Sequence, residues 1–130
     1  MNASNAPSFR ASLAPWLAVE RPGAAIDFYQ AAFGAVERYR LEDDAGHVAV
    51  ARLAIGGAEF WLQESDRGPV GASSRTVLTV DDPDAMFAQA VDAGATAIAA
   101  VADQHGWRTG RLADPFGHHW DVAAPLDDLV

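Results

Sequence analysis

The chain has 130 residues, half of them hydrophobic, which is the size of one domain with its own core. It contains no cysteine and no lysine, which excludes disulfides, a thiol nucleophile, Schiff-base chemistry and a P-loop lysine. The net charge of −9 disfavours nucleic acid and anionic membranes as partners, and it favours either plain solubility or the attraction of a cationic ligand.

The order of apolar runs, prolines and glycines predicts a strand, a helix and three more strands, followed by the same series again. Pro22 and Pro83 are typical of a first helical turn, and Asp82 is a good helix cap. Gly34 and Gly94 indicate where the two helices end. The predicted strands are 13–19, 36–41, 48–54, 59–64, 75–81, 96–100, 108–113 and 119–123.

The second half of the chain repeats the first half in a weak but ordered way. Residues 17–24 (LAVERPGA) match 78–85 (LTVDDPDA), because each has alternating apolar residues, then an acidic residue, then a proline. Later along the chain, the tripeptide Arg-Leu-Ala at 52–54 matches the same tripeptide at 111–113. The repeat therefore predicts two copies of one βαβββ module.

These observations predict a single α+β domain over residues 12–125. Two tandem βαβββ modules would form a concave, mostly antiparallel curved sheet with the helices on its outer face. The boundaries that we predict are a disordered lead at 1–11, modules at 12–65 and 74–124, a linker at 66–73 and a tail at 126–130. No targeting signal and no long apolar run is present, so we expect a cytoplasmic protein.

Four segments carry a resemblance to a known family: AAIDFY at 24–29, AFGA at 32–35, VDDPDA at 80–85 and DPFGHHW at 114–120. The chain resembles the vicinal oxygen chelate superfamily, which includes glyoxalase I, bleomycin resistance proteins and extradiol dioxygenases, and looks most like its PhnB-like branch. The resemblance implies the fold described above and a homodimer. It does not define the function, because the superfamily includes lyases, dioxygenases and non-catalytic binding proteins.

Members of this superfamily that need a metal hold one divalent ion with side chains from the first and last strands of each module. The resemblance carries those positions onto Ala14, Trp61, Arg75 and Asp121. Of these side chains only the Asp121 carboxylate can ligate a metal, and Arg75 is a permanent cation. The resemblance therefore implies that the usual metal site is missing, and we expect no cofactor.

Two catalytic alternatives stay open. A lyase or dioxygenase with a divalent metal would need a rearranged set of ligands, with these candidates: His119 and Asp121 together with His47 or His105. An enzyme without metal would use Glu59, His119 or Asp121 as a general base, with Arg75 stabilising an oxyanion.

The preferred interpretation is a protein that binds a small organic molecule, cationic or aromatic, in a cavity lined by tryptophan, and antibiotic resistance is one such role. Arg75 and Asp121 are expected to form an ion pair across the pseudo-twofold axis that relates the modules. Trp61 and Trp107 are also candidates for a groove between two copies. The candidate ligand-binding residues are Trp16, Trp61, Gln63, Arg75, Trp107, His119 and Asp121.

Overall fold

The computed structural model describes residues 11–65 and 75–126. The predicted lead, linker and tail lie outside these residues, except at Ala11 and Leu126. The elements are β1 (Trp16–Val19), α1 (Pro22–Phe33), β2 (Val36–Glu42), β3 (Val48–Ile55), β4 (Ala58–Glu64), β5 (Arg75–Thr79), α2 (Pro83–Ala93), β6 (Thr96–Gln104), β7 (Trp107–Ala113) and β8 (His119–Pro125).

Local sequence signals determine where the two helices begin and end. Helix α1 begins at Pro22 after Arg21, whose side chain makes no capping hydrogen bond, and it ends at Gly34, where φ is 69°. Helix α2 has a true cap, because the Asp82 carboxylate accepts a hydrogen bond of 3.1 Å from the backbone N–H of Ala85. Both helices therefore have the bounds that their prolines and glycines predict.

The eight strands form two four-stranded sheets, one from each module, in the orders β1-β4-β3-β2 and β5-β8-β7-β6. The first and last strands of each module pair in parallel, and every other pairing is antiparallel. The predicted α+β fold with two βαβββ modules is confirmed. The strands predicted at 13–19 and 75–81 are shorter than expected, because the described ladders involve only Trp16–Val19 and Arg75–Thr79.

The two helices pack against each other and against one face of each sheet, and this is where the core lies. Its centre is aromatic, with the rings of Phe33 and Trp120 only 4.9 Å apart between centroids and Phe60 5.4 Å from Trp120. Because side chains alternate along a strand, the opposite face of each sheet is left open. None of the helices in the described parts of the chain is long and apolar enough to span a membrane.

A buried carboxylate, Asp114, joins the two modules. It accepts hydrogen bonds from the hydroxyl of Tyr29 in α1, from Nε1 of Trp120 at 2.9 Å, and from two backbone N–H groups of its own turn. In the same turn, Nε2 of His118 donates to the carbonyl oxygen of Ala18 in β1 at 2.7 Å. Burial, and then the negative charge of Asp114, raise the pKa of Tyr29 well above its ordinary value.

Candidate functional site

The open face of the first sheet carries a row of large side chains, one from each strand. The strand register places Trp16 beside Trp61, Trp61 beside Arg52, and Arg52 beside Tyr39. The two indoles are stacked, with centroids 5.5 Å apart and planes inclined by 23°. The Arg52 guanidinium lies over the Trp61 ring at 5.4 Å, and Tyr39 meets the same ring edge-on at 5.9 Å. Trp61 is therefore enclosed along this row by Trp16 on one side and Arg52 on the other.

Trp16 is the member of this row that offers a free aromatic surface. It lies on β1, an edge strand, and 53% of its surface is exposed. Its Nε1 donates a hydrogen bond of 2.6 Å to Oε1 of Gln63, which holds the ring in one orientation. A planar ligand would thus pack on Trp16, while Trp61 supports Trp16 from behind.

Arg52 contributes an unsatisfied donor to the same face. Its Nη1 lies 3.9 Å from Oε1 of Glu59, a long contact between two half-exposed side chains. Its Nε is buried and has no hydrogen-bond partner among the residues described. A buried donor without an acceptor is costly, so this group favours a ligand or water that brings an acceptor. Arg52 was not among the candidates drawn from the sequence, although the repeated Arg-Leu-Ala tripeptide contains it.

The open face of the second sheet carries a carboxylate held by two arginines. Asp121 lies in β8, and its two oxygens contact Nε of Arg111 at 2.9 Å and Nε of Arg75 at 3.3 Å. The expected pair of Arg75 and Asp121 is thus present, but within one sheet, so its predicted place across the pseudo-twofold axis is wrong. His119 lies directly opposite Arg75 in the strand register. Arg111 is the repeat counterpart of Arg52, but the repeat alone does not place it beside Asp121.

Two cavities adjoin these residues. One of about 240 Å³ lies on the second sheet, and its lining includes Asp121, Val77 and Trp107. The other, of about 300 Å³, lies where the modules meet, and its lining includes Ala14, Glu59 and Val77. Ala14 is exposed there and precedes the first described strand.

The sequence-predicted residues therefore fall into two sets on two sheets. The first set contains Trp16, Trp61, Gln63 and Glu59, and the second contains Arg75, Trp107, His119 and Asp121. Within residues 11–65 and 75–126, no hydrogen bond, ion pair or ring contact joins one set to the other. The contacts thus group the predicted residues by sheet, while the cavity where the modules meet is lined from both sheets, with Glu59 on one side and Val77 on the other.

The donor set does not fit a divalent metal. The structure brings together no group of three or more His, Cys, Asp or Glu side chains in the stretches that it describes. At the positions implied by the resemblance, Asp121 already pairs with two arginines, and Arg75 brings a positive charge to the place of a ligand. His47 lies in the turn after β2, 3.8 Å from Asp43, and His105 lies in the turn after β6. The rearranged ligand set is therefore not assembled.

The fold agrees with comparisons to known proteins. Residues 16–123 match the model of the glyoxalase-like domain, and the chain belongs to this family. It is 39% identical to the uncharacterized protein Rv0887c of Mycobacterium tuberculosis, over 91% of this chain and 76% of that protein.

Two solved structures show the same fold. TioX from a Micromonospora species superposes with a TM-score of 0.72 at 24% identity, over 88% of this chain and 95% of TioX. The PhnB protein from Bacillus cereus superposes with a TM-score of 0.70 at 17% identity, over 88% of this chain and 99% of that one. The resemblance to the glyoxalase and bleomycin resistance superfamily that the sequence motifs indicate is thus confirmed.

Proposed function

We propose that this protein binds a small organic molecule that contains a planar ring, and that it does so without a metal ion. The observation that carries the proposal is the arrangement of Trp16, an exposed indole held rigidly on an open sheet face. An aromatic side chain that is already oriented loses little conformational entropy when a ligand packs on it. Large exposed apolar side chains on such a face are typical of ligand or partner surfaces.

The charges near Trp16 favour an aromatic ligand over a cationic one. Arg52 and Glu59 are the charged side chains that lie next to the indole row, and they oppose each other at 3.9 Å. The positive end of this pair already occupies the face of Trp61, where a ligand cation would otherwise bind. The net charge of the whole chain therefore does not determine what this face binds.

We also propose that two copies of the chain associate along β2. Support comes from the exposed apolar side chains of β2, where Val36, Tyr39 and Leu41 are each more than two-fifths exposed. An exposed apolar edge of this kind is a liability for a protein that stays alone. Sedimentation at micromolar concentration tests this point, and a monomer there would contradict it.

Isothermal titration with 2-naphthamide, a neutral bicyclic ring, tests the binding proposal. We expect saturable binding that dialysis against EDTA does not change. Trp16→Leu should weaken it at least about five-fold, since an aromatic pair contributes about 1 kcal/mol beyond the area that it buries. Trp107→Leu is the matched control, the same change on the second sheet, and should leave the affinity within about two-fold.

Three results would contradict the proposal. The first is wild-type protein that shows no saturable binding of the probe or of other neutral planar rings. The second is a Trp16→Leu variant that binds the probe as tightly as wild type does. The third is binding that EDTA abolishes, which would contradict its independence from metal.

A further inference from the structure

The two arginines around Asp121 are arranged so that their outer nitrogens stay available. Arg75 and Arg111 each contact the carboxylate through Nε. Among the residues described, the side-chain hydrogen bond of Arg111 comes from Nε, and the terminal nitrogens of neither guanidinium donate a hydrogen bond. Each guanidinium is only partly covered, with 52% of the Arg75 side chain and 34% of the Arg111 side chain exposed. Their free N–H groups can therefore reach a molecule on the open face.

The local charge on this face is positive although the chain is strongly acidic. Two guanidiniums surround one carboxylate. Among the described strand residues whose side chains point to this face, Asp121 is the acidic one. Asp103 lies in β6 and pairs with Arg108, which reaches the helix side and also binds Asp84. Among the described strand residues, no second carboxylate therefore balances the extra positive charge of the two arginines around Asp121.

We propose that this cluster is a binding site for a small organic anion such as a carboxylate. The terminal nitrogens of Arg75 and Arg111 hold the anionic group, because guanidinium and carboxylate form strong charge-assisted hydrogen bonds. The apolar part of the ligand packs on Val77, which lies opposite Asp121 and is 59% exposed, and on the cavity wall formed by Trp107. This site is separate from the ring-binding face of Trp16 and does not depend on it.

Asp121 has an organising role in this proposal. One of its oxygens accepts a hydrogen bond from Nε of Arg111, and the other lies 3.3 Å from Nε of Arg75, so the carboxylate offsets the repulsion between the two cations. Its own single charge does not neutralise two cations, which leaves one positive charge for the ligand. Replacing Asp121 by the isosteric Asn keeps one acceptor and raises the local charge by one unit.

Benzoate, neutral benzamide and cationic benzylammonium test the site, because they share one ring and differ in charge. Binding is followed by NMR of ¹⁵N-labelled full-length protein, using the Nε–H signals of Arg75 and Arg111. We expect benzoate to shift both signals and to bind at least about five-fold more tightly than benzamide. In Arg75→Gln and in Arg111→Gln this preference should fall to about one. Arg108→Gln, the control on the same strand as Arg111, should keep it.

Asp121→Asn separates this proposal from a cation or metal site. An anion site predicts that this variant still binds benzoate more tightly than benzamide, whereas a cation or metal site predicts loss of benzylammonium or metal binding. Equal binding of benzoate and benzamide, tighter binding of benzylammonium, or a benzoate preference that survives Arg111→Gln would overturn the proposal. Failure of 2-naphthamide to bind at Trp16 would leave the benzoate result unaffected, so the two proposals fail independently.

Discussion

Alkaline pH should destabilise this fold mainly through one side chain, Tyr29. The chain contains neither lysine nor cysteine, so its two tyrosines are the side chains whose ordinary pKa falls between about 9 and 12. Tyr29 is fully buried, and its hydroxyl donates to the Asp114 carboxylate. Burial and the charge of Asp114 raise the pKa of Tyr29 well above 10, because a tyrosinate there would be desolvated and would face another anion.

The size of the effect follows from proton linkage. Above pH 10 the unfolded chain loses the Tyr29 proton while the folded chain keeps it, so the unfolded state is favoured as the pH rises. One proton changes the free energy of unfolding by at most about 1.4 kcal/mol per pH unit. Between pH 10 and pH 11 the loss should be about 1 kcal/mol, and below pH 9 this contribution should not vary.

Urea unfolding followed by tryptophan fluorescence at pH 9, 10 and 11 measures this loss. Tyr29→Phe should lower the free energy of unfolding by about 1–3 kcal/mol at pH 7, because Asp114 loses a buried hydrogen-bond partner. It should also make the stability nearly independent of pH over this alkaline range. Tyr39→Phe is the matched control and should keep the alkaline loss. An alkaline loss that persists unchanged in Tyr29→Phe would refute the assignment to this hydroxyl.

Two further stability predictions concern local features of the second module. Asp82→Ala should lower the free energy of unfolding by about 1 kcal/mol through loss of the α2 cap, whereas Arg21→Ala, before the uncapped α1, should have little effect in the same urea experiment. Gly110→Ala should cost about 1–3 kcal/mol, because the added Cβ would lie 2.8 Å from a methyl group of Val101 and 3.0 Å from the ring of Phe87. A thermal unfolding curve identical to that of wild type would contradict this overpacking.

The order of elements could be predicted because the signals for it are local. Each helix begins at a proline and ends at a glycine, and neither signal depends on the rest of the chain. The strand lengths depend on partners elsewhere in the chain. The run 13–19 is apolar throughout, but its described ladder with β4 begins at Trp16. The parallel pairing of β1 with β4 brings together residues far apart in sequence, and no local pattern encodes it.

The part of the candidate site that could be predicted is the part that the internal repeat and the family resemblance mark in the sequence. The repeat aligns Arg75 with Ala14 and Asp121 with Trp61, the resemblance gives all four as ligand positions, and the structure shows Arg75 and Asp121 in contact. Arg111 was missed, because only the register between β7 and β8 places it beside Asp121. Asp114 was missed as well, since its importance comes from Tyr29 of the other module.

The contrast between total and local charge explains why composition pointed toward a cationic ligand. Charges on a surface are screened beyond about 10 Å at ordinary ionic strength, so a ligand at one face responds mainly to its nearest neighbours. At Asp121 those neighbours are two arginines at about 3 Å, and the carboxylates of Glu37, Glu42 and Asp84 are already paired with arginines elsewhere on the surface.

A permanent guanidinium at position 75, where the resemblance places a metal ligand, also changes the role of Asp121. A carboxylate that would bind a divalent cation instead orients two monovalent ones. A metal ion and a pair of arginines both present positive charge to the oxygens of a ligand. The geometry around Asp121 therefore supports the proposed anion site, with guanidinium groups supplying the positive charge.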